Sequence, residues 1–139
     1  MKKGILLAVV AALMIAPAAA MAHHGPRGGK SAPNVMYVLH GKLSAYTPYN
    51  NSIYGPQNGS ITILVNHSNH HGKALKTQSL TFVVDAKTRV TLHNGNPIAD
   101  GDRGIVKVRA ALRIPAADLA ATVQASHARA IIDMGAPST

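Results

Sequence analysis

The sequence predicts a mainly β protein, a small antiparallel β-barrel followed by a short helix near the C-terminus. Five segments beyond residue 34 are rich in β-branched residues, and clusters of turn residues separate them. The chain has 139 residues and no cysteine, so its core must hold together by burial alone. Closing the sheet into a barrel is the simplest way for so short a chain to cover both edge strands.

The first 22 residues have the three regions of a secretory signal peptide. Lys2 and Lys3 supply the charged start, residues 5–16 are unbroken apolar sequence, and a small-x-small pattern ends at Ala22. The apolar run is too short to cross the roughly 30 Å hydrocarbon core of a bilayer. We therefore predict a secreted or periplasmic protein that is cleaved after Ala22, or alternatively after Ala20, with no transmembrane segment in the mature chain.

The remaining sequence predicts one domain between two irregular ends. Residues 23–34 are basic, rich in glycine and proline and without apolar periodicity, which predicts a flexible basic arm. Residues 35–133 carry the strand and helix patterns and are expected to form a single domain. Residues 134–139 are expected to be a frayed tail.

Alternation with a period of two predicts five strands. They cover residues 35–46, 60–66, 79–85, 88–93 and 105–112. The apolar positions that this alternation turns inward are Ile61, Ile63, Val65, Leu80, Phe82, Val84, Val90, Leu92, Val106, Val108 and Ala110. Gly41 predicts a bend in the middle of the first strand, because a residue without a Cβ atom permits a bulge.

Other patterns fill the gaps between the strands and the end of the domain. Residues 47–59 and 67–78 are polar or rich in turn residues and are predicted as loops. Over residues 115–125, proline at the first helical position and an apolar stripe predict a short helix. The stripe consists of Ala116, Leu119, Ala120 and Val123. Residues 127–133 predict a final strand.

Six short motifs follow one another along the predicted strands and turns. They are Gly41-x-Leu43, Gly59-Ser60-Ile61-Thr62-Ile63, His71-Gly72-x-Ala74-Leu75, Leu80-Thr81-Phe82-Val83-Val84, Thr88-Arg89-Val90 and Gly101-Asp102-x-Gly104-Ile105-Val106-Lys107-Val108. Their order resembles that of exported bacterial domains of unknown function that form a small OB-like β-barrel. The likeness covers about residues 37–109 and implies an OB-like barrel. Because each motif is a strand or turn signature, it implies no activity.

Histidine is unusually frequent, with eight residues in the chain. His67, His70 and His71 form an H-x-x-H-H pattern in a predicted loop, and neutral imidazole is a common ligand of Cu, Ni and Zn. Cleavage at the preferred position would leave His23 and His24 at the amino terminus, where the free amine and a ring nitrogen can bind Cu(II). The alternative for the loop histidines is a polar, solvated connection, since their spacing fixes no ligand geometry.

Positive charge is the strongest bias in the composition, with 14 Lys and Arg against 5 Asp and a formal net charge of +9. Strand alternation places Lys107 and Arg109 on one side, with Arg89 pointing outward from another strand. A cationic face of this kind binds polyanions by releasing counterions. The candidate residues are Arg89, Lys107, Arg109, Lys73 and Lys76, with Tyr46, Tyr49 and Tyr54, whose rings can stack on bases or sugars.

Catalytic signatures are missing from the sequence. It has no G-x-S-x-G, no H-E-x-x-H, no cysteine nucleophile and no P-loop or dinucleotide fingerprint. We therefore expect no enzyme and no cofactor, but an exported binding module of the cell envelope or extracellular space. Export argues against intracellular nucleic acid and favours an anionic polymer or envelope surface as partner. The alternatives are a His-based metal-binding protein and a structural envelope component, and the oligomeric state is left open.

Overall fold

A computed structural model describes residues 33–137 of the chain and shows a mainly β fold. Of the described residues, 51% lie in strands and 14% in helices, which confirms the predicted class. The strands are β1 (Asn34–Thr47), β2 (Asn50–Ser52), β3 (Gly55–Gln57), β4 (Gly59–Ser68), β5 (Ser79–Val84), β6 (Arg89–Thr91), β7 (Arg103–Ala111) and β8 (Ala128–Asp133). The helical elements are α1 (Leu119–Gln124) and two 3₁₀ helices, His70–Leu75 and His93–Gly95.

Six of these strands form one curled sheet in the order β5-β4-β1-β7-β8-β6. Neighbouring strands run antiparallel except β6 and β8, which are parallel. Within residues 33–137 no ladder joins β5 to β6, so the sheet is a half-barrel where the sequence predicted a closed barrel. The turn between these two edge strands is tied to β8, because the Thr88 hydroxyl donates to the Ala128 carbonyl at 2.7 Å.

The core fills the concave side of the half-barrel. Ten of the apolar positions that the alternation turned inward are buried or half-buried, as predicted. Leu92 is the exception: β6 ends at Thr91, and the Leu92 side chain is 37% exposed. Leu119 and Val123 of α1 and Leu75 of the first 3₁₀ helix are buried in the same core, so the short helices cover the face that a closed barrel would have buried.

The structure departs from the predicted element boundaries in several places, among them the following. α1 is six residues long and begins at Leu119, so the first turn of the predicted helix is irregular. β2 and β3 form a small hairpin inside the predicted loop of residues 47–59. Met134 and Gly135 of the predicted tail are held by backbone hydrogen bonds with Arg103. The predicted final strand is present as β8.

No helix within the described range has the length and apolar character needed to cross a membrane. The predicted signal peptide and most of the basic arm lie outside the described residues.

Gly41 marks the predicted bend in β1. The pairing register between β1 and β4 shifts between His40 and Gly41, as expected for a bulge. A Cβ atom at Gly41 would lie 1.9 Å from the Leu64 carbonyl oxygen, a distance that backbone atoms cannot tolerate. The close approach of β1 to β4 therefore requires glycine here.

Replacing Gly41 with alanine is expected to lower the free energy of unfolding by about 3 kcal/mol or more, because β4 must move away. Gly95→Ala is the matched control: its Cβ meets open space, although its φ of 76° makes alanine unfavourable by about 1 kcal/mol. Urea unfolding of both variants checks the prediction. Equal losses in the two variants would contradict the close packing of β1 on β4.

Candidate functional site

The convex face of the half-barrel carries a row of basic side chains. Arg103, Lys107 and Arg109 alternate along β7 with the buried residues of that strand, so all three point outward. Lys107 pairs in register with Ala130 of β8, which pairs in turn with Arg89 of β6. Because residues in register share a face, Lys107 and Arg89 lie on the same side, about 10 Å apart along the backbone row.

Lys42 of β1 completes this surface. It pairs directly with Arg103 of β7, and both side chains are exposed. Like charges at directly opposed positions destabilise a sheet. We define the cationic face as Lys42, Arg89, Arg103, Lys107 and Arg109.

None of these five cations has a carboxylate partner within the described part of the chain. The contact within ion-pair distance found between residues 33 and 137 joins His127 Nδ1 to Asp85 Oδ2, and it uses neither lysine nor arginine. His40 lies on the same face, opposite Ile105. Burial lowers the pKa of His40, and the nearby His67 and Lys107 lower it further, so the ring adds little charge to the face at neutral pH.

The acidic side chains are committed to loop backbone instead. Asp100 accepts a hydrogen bond from the Ala45 amide and Asp102 from the Ala99 amide, each at 2.8 Å. Asp133 accepts from the amide of His93 at 3.2 Å and from that of Gly135 at 2.9 Å. Asp102 and Asp133 are buried. Carboxylates held in this way fix loops at the ends of the half-barrel and do not neutralise the cations outside it.

Asp85 holds the turn between the two edge strands. Its Oδ1 accepts from the Lys87 amide at 2.8 Å and from the Thr88 hydroxyl at 3.2 Å, while Oδ2 accepts from His127 Nδ1 at 2.6 Å. The hydrogen bond from His127 and the one from the Lys87 amide lower the pKa of Asp85 below its ordinary value of 3.8. An ionised Asp85 requires the proton of the His127 ring to sit on Nδ1.

The structure brings together only part of the set predicted from the sequence. Arg89, Lys107 and Arg109 share the cationic face; alternation indicated this for Lys107 and Arg109, and the pairing of β6 with β8 adds Arg89. Lys73 and Lys76 lie at the 3₁₀ helix His70–Leu75, away from the strand row. That helix packs on the concave side, where Leu75 is buried and a Cβ atom at Gly72 would lie 3.3 Å from Leu39 Cδ2.

The three tyrosines do not join the basic residues. Tyr46 and Tyr49 are half-buried and pack against the core, and burial raises the pKa of Tyr46. Tyr54 is 89% exposed at the turn of the β2–β3 hairpin, beside Ile53 at 93%. Their rings therefore do not extend the cationic face into a stacking platform.

The loop histidines are divided between two places. His67 faces His40 across the β1–β4 pair, with ring centroids 5.8 Å apart. His70 lies against His71 at a centroid distance of 3.6 Å, and His71 is 6.1 Å from Tyr37. In the described part of the chain no three His, Cys, Asp or Glu side chains are grouped so that they could hold a metal ion. His23 and His24 lie outside the described residues, and metal binding stays a prediction.

Lys42 and Arg103 belong to the cationic face but were missed by the sequence reasoning. Arg103 was assigned to a turn because β7 was predicted to start at residue 105, whereas the strand begins at Arg103. The alternation Arg103, Lys107, Arg109 was the available signal. Lys42 follows the bend at Gly41, where the sequence alone does not determine which side the next residue faces.

Comparisons with models of known protein families, with characterised proteins and with solved structures gave no match. The likeness to exported OB-like domains therefore stays a prediction, and the site must be interpreted from its own residues.

Asp85→Asn is expected to lower the free energy of unfolding by about 1–2 kcal/mol at neutral pH, because the charge-assisted hydrogen bonds to His127 and Lys87 are weakened. The folded pKa of Asp85 is depressed, so its contribution is complete above the unfolded pKa and is lost as the pH falls through the folded value. Wild type and variant should therefore converge once the pH lies below the depressed folded pKa of Asp85.

Urea unfolding between about pH 2 and pH 7 measures this convergence. Asp118→Asn is the control, since the Asp118 carboxylate is exposed and makes no hydrogen bond to α1. A stability difference for Asp85→Asn that does not change with pH would show that the charge of Asp85 is not what holds the turn.

Proposed function

We propose that this protein is an exported, non-enzymatic binding module that engages an anionic polymer of the cell envelope or extracellular space through the cationic face. One observation carries the proposal: five outward-facing cations share one side of the sheet, and no carboxylate of the described chain pairs with any of them. Unpaired cations on a common face attract a polyanion and release its counterions.

The arrangement suits an extended ligand better than a compact one. The cations lie on β1, β7 and β6, with β8 between the last two, so the charge extends across four adjacent strands of the sheet. Each adjacent strand adds about 5 Å to this width. A purely structural component would gain nothing from the opposed pair Lys42 and Arg103, which repel each other in the free protein.

The predicted secretion signal supports an extracytoplasmic partner. If the first 22 residues direct export, the polymers within reach are anionic wall polymers, anionic surfaces and extracellular DNA. Among these, a linear poly(glycerol phosphate) is a simple probe because it carries charge without bases or sugars to recognise.

The protein is purified in the form that its own cells produce. Its binding to poly(glycerol phosphate) is expected to weaken steeply as the salt concentration rises. If about five phosphates are neutralised, log K should fall against log[salt] with a slope of roughly −3.5. Lys42→Gln/Arg103→Gln should weaken binding about tenfold at low salt and flatten the slope by roughly 1.4. Fluorescence anisotropy over a salt series measures both quantities.

Lys73→Gln/Lys76→Gln is the matched control, since it removes the same charge from the other side of the molecule. It should change the affinity less than about threefold, because only long-range attraction is lost. Equal losses for the two double variants would show that net charge, and not the cationic face, controls binding. Binding that is insensitive to salt would contradict the proposed function as a whole.

A further inference from the structure

A cleft of about 350 Å³ lies beside the turn that links the two edge strands of the open sheet, which we call the seam. Its walls come from the β5–β6 turn, the end of β7 and the start of β8. The lining side chains that matter here are Asp85, Lys87, Arg109, Ser126, His127 and Arg129. We call this the seam cleft. Arg109 belongs both to it and to the cationic face, so the two surfaces adjoin.

Three cations converge on the seam cleft from three different elements. Lys87 comes from the β5–β6 turn, Arg109 from β7 and Arg129 from β8. Arg129 lies where the pairing of β7 with β8 shifts register, between the partners of Val108 and Lys107. That bulge redirects a side chain at the cleft, which is a common use of bulges near binding sites.

The carboxylate that lines the cleft does not neutralise these cations. Both oxygens of Asp85 are occupied by the Lys87 amide, the Thr88 hydroxyl and the His127 ring. Neither arginine nor the lysine ammonium has an acidic atom within ion-pair distance in residues 33–137. The three positive groups and the one carboxylate leave an excess of two positive charges, not counting the imidazole of His127.

We propose that the seam cleft is a subsite for a single phosphoryl group. This proposal rests on the proposed function, because the phosphoryl group belongs to the bound polymer. A phosphate monoester, such as the terminal phosphate of a polymer chain, carries about −1.5 to −2 charge at neutral pH, which matches the excess positive charge of the cleft better than the single charge of a phosphodiester within the chain. The guanidinium groups of Arg109 and Arg129 supply paired donors in the geometry that tetrahedral oxyanions accept.

The size of the cleft sets the scale of the ligand. Small-molecule sites begin at about 300 Å³, so the seam cleft accommodates one phosphate with its attached group and not a length of polymer. The cationic face holds the extended chain without choosing a position along it. The seam cleft fixes one phosphate, such as a chain end, beside Arg109.

The experiment uses inorganic phosphate as the probe and the processed protein as the receptor. Phosphate is titrated at constant ionic strength while the amide signals of Lys87, Ser126 and Ala128 are followed by NMR. Sodium acetate serves as the carboxylate comparison. Phosphate should shift these signals saturably, and acetate should bind at least about fivefold more weakly, because it carries half the charge.

Three charge-matched double variants locate the binding. Lys87→Gln/Arg129→Gln removes cations from the cleft alone and should weaken phosphate binding about tenfold. Lys42→Gln/Arg103→Gln on the cationic face and Lys73→Gln/Lys76→Gln elsewhere should each change it less than about threefold. These side chains are exposed, and retained dispersion of the amide spectrum confirms that each variant folds.

The outcomes separate this inference from the proposed function. Absent shifts at the cleft, or equal weakening in all three variants, would overturn the seam cleft as a phosphate site. Polymer binding that survives Lys87→Gln/Arg129→Gln but is lost in Lys42→Gln/Arg103→Gln would leave the proposed function intact and overturn the cleft as its subsite. Phosphate binding in the cleft without polymer binding would overturn the proposed function and leave the cleft as a phosphate site.

The source of the phosphoryl group is settled by a further comparison. Vesicles of phosphatidylglycerol and vesicles of phosphatidylcholine are offered separately to the protein and to Lys87→Gln/Arg129→Gln. Cleft-dependent binding to phosphatidylglycerol vesicles, with no polymer binding, would overturn the polymer as the source and assign the site to a lipid headgroup. Cleft-dependent polymer binding without vesicle binding supports the proposal as stated.

Discussion

Four aspartates hold the ends of the half-barrel by accepting hydrogen bonds from loop and turn residues, and the rest of the structure depends on this use of negative charge. Asp85 closes the turn between the edge strands, and Asp133 fixes the segment that follows β8. Asp100 binds the loop before β7 to Ala45 of β1, and Asp102 closes a turn within that loop. With only five acidic residues in the chain, this leaves almost no carboxylate to pair with lysine or arginine.

The unpaired cations follow from that allocation together with strand geometry. Alternation along β7 turns its apolar residues into the core and its basic residues outward, and the register with β1 and β8 brings further cations alongside. The sheet stays open because short helices, and not a β5–β6 ladder, cover its concave side. The same opening creates the seam where Lys87 and Arg129 approach Arg109. The candidate site therefore depends on two features of the fold: the few acids of the chain are used in loops and turns, and the sheet stays open.

Local patterns in the sequence predicted the strands well, but they could not predict which strands pair or which distant residues come into contact. Ile61, Ile63 and Val65 are buried, as alternation requires. Gly41 lies at a bulge because only glycine fits beside the Leu64 carbonyl. Alternation also placed Lys107 and Arg109 together, but it could not show that Arg89 shares their row, since this depends on the parallel pairing of β6 with β8. Nor could the pairing of Asp85 with His127, 42 residues apart, be deduced from spacing.

The most direct test of this account is the salt dependence of stability. If the cations of the convex face and seam are unpaired and repel one another, screening should stabilise the fold. The free energy of unfolding should then rise between about 20 and 300 mM sodium chloride, as the Debye length shortens. If those side chains were instead held in ion pairs with the aspartates, the same salt would weaken the pairs. A free energy of unfolding that falls with added salt would contradict the central claim.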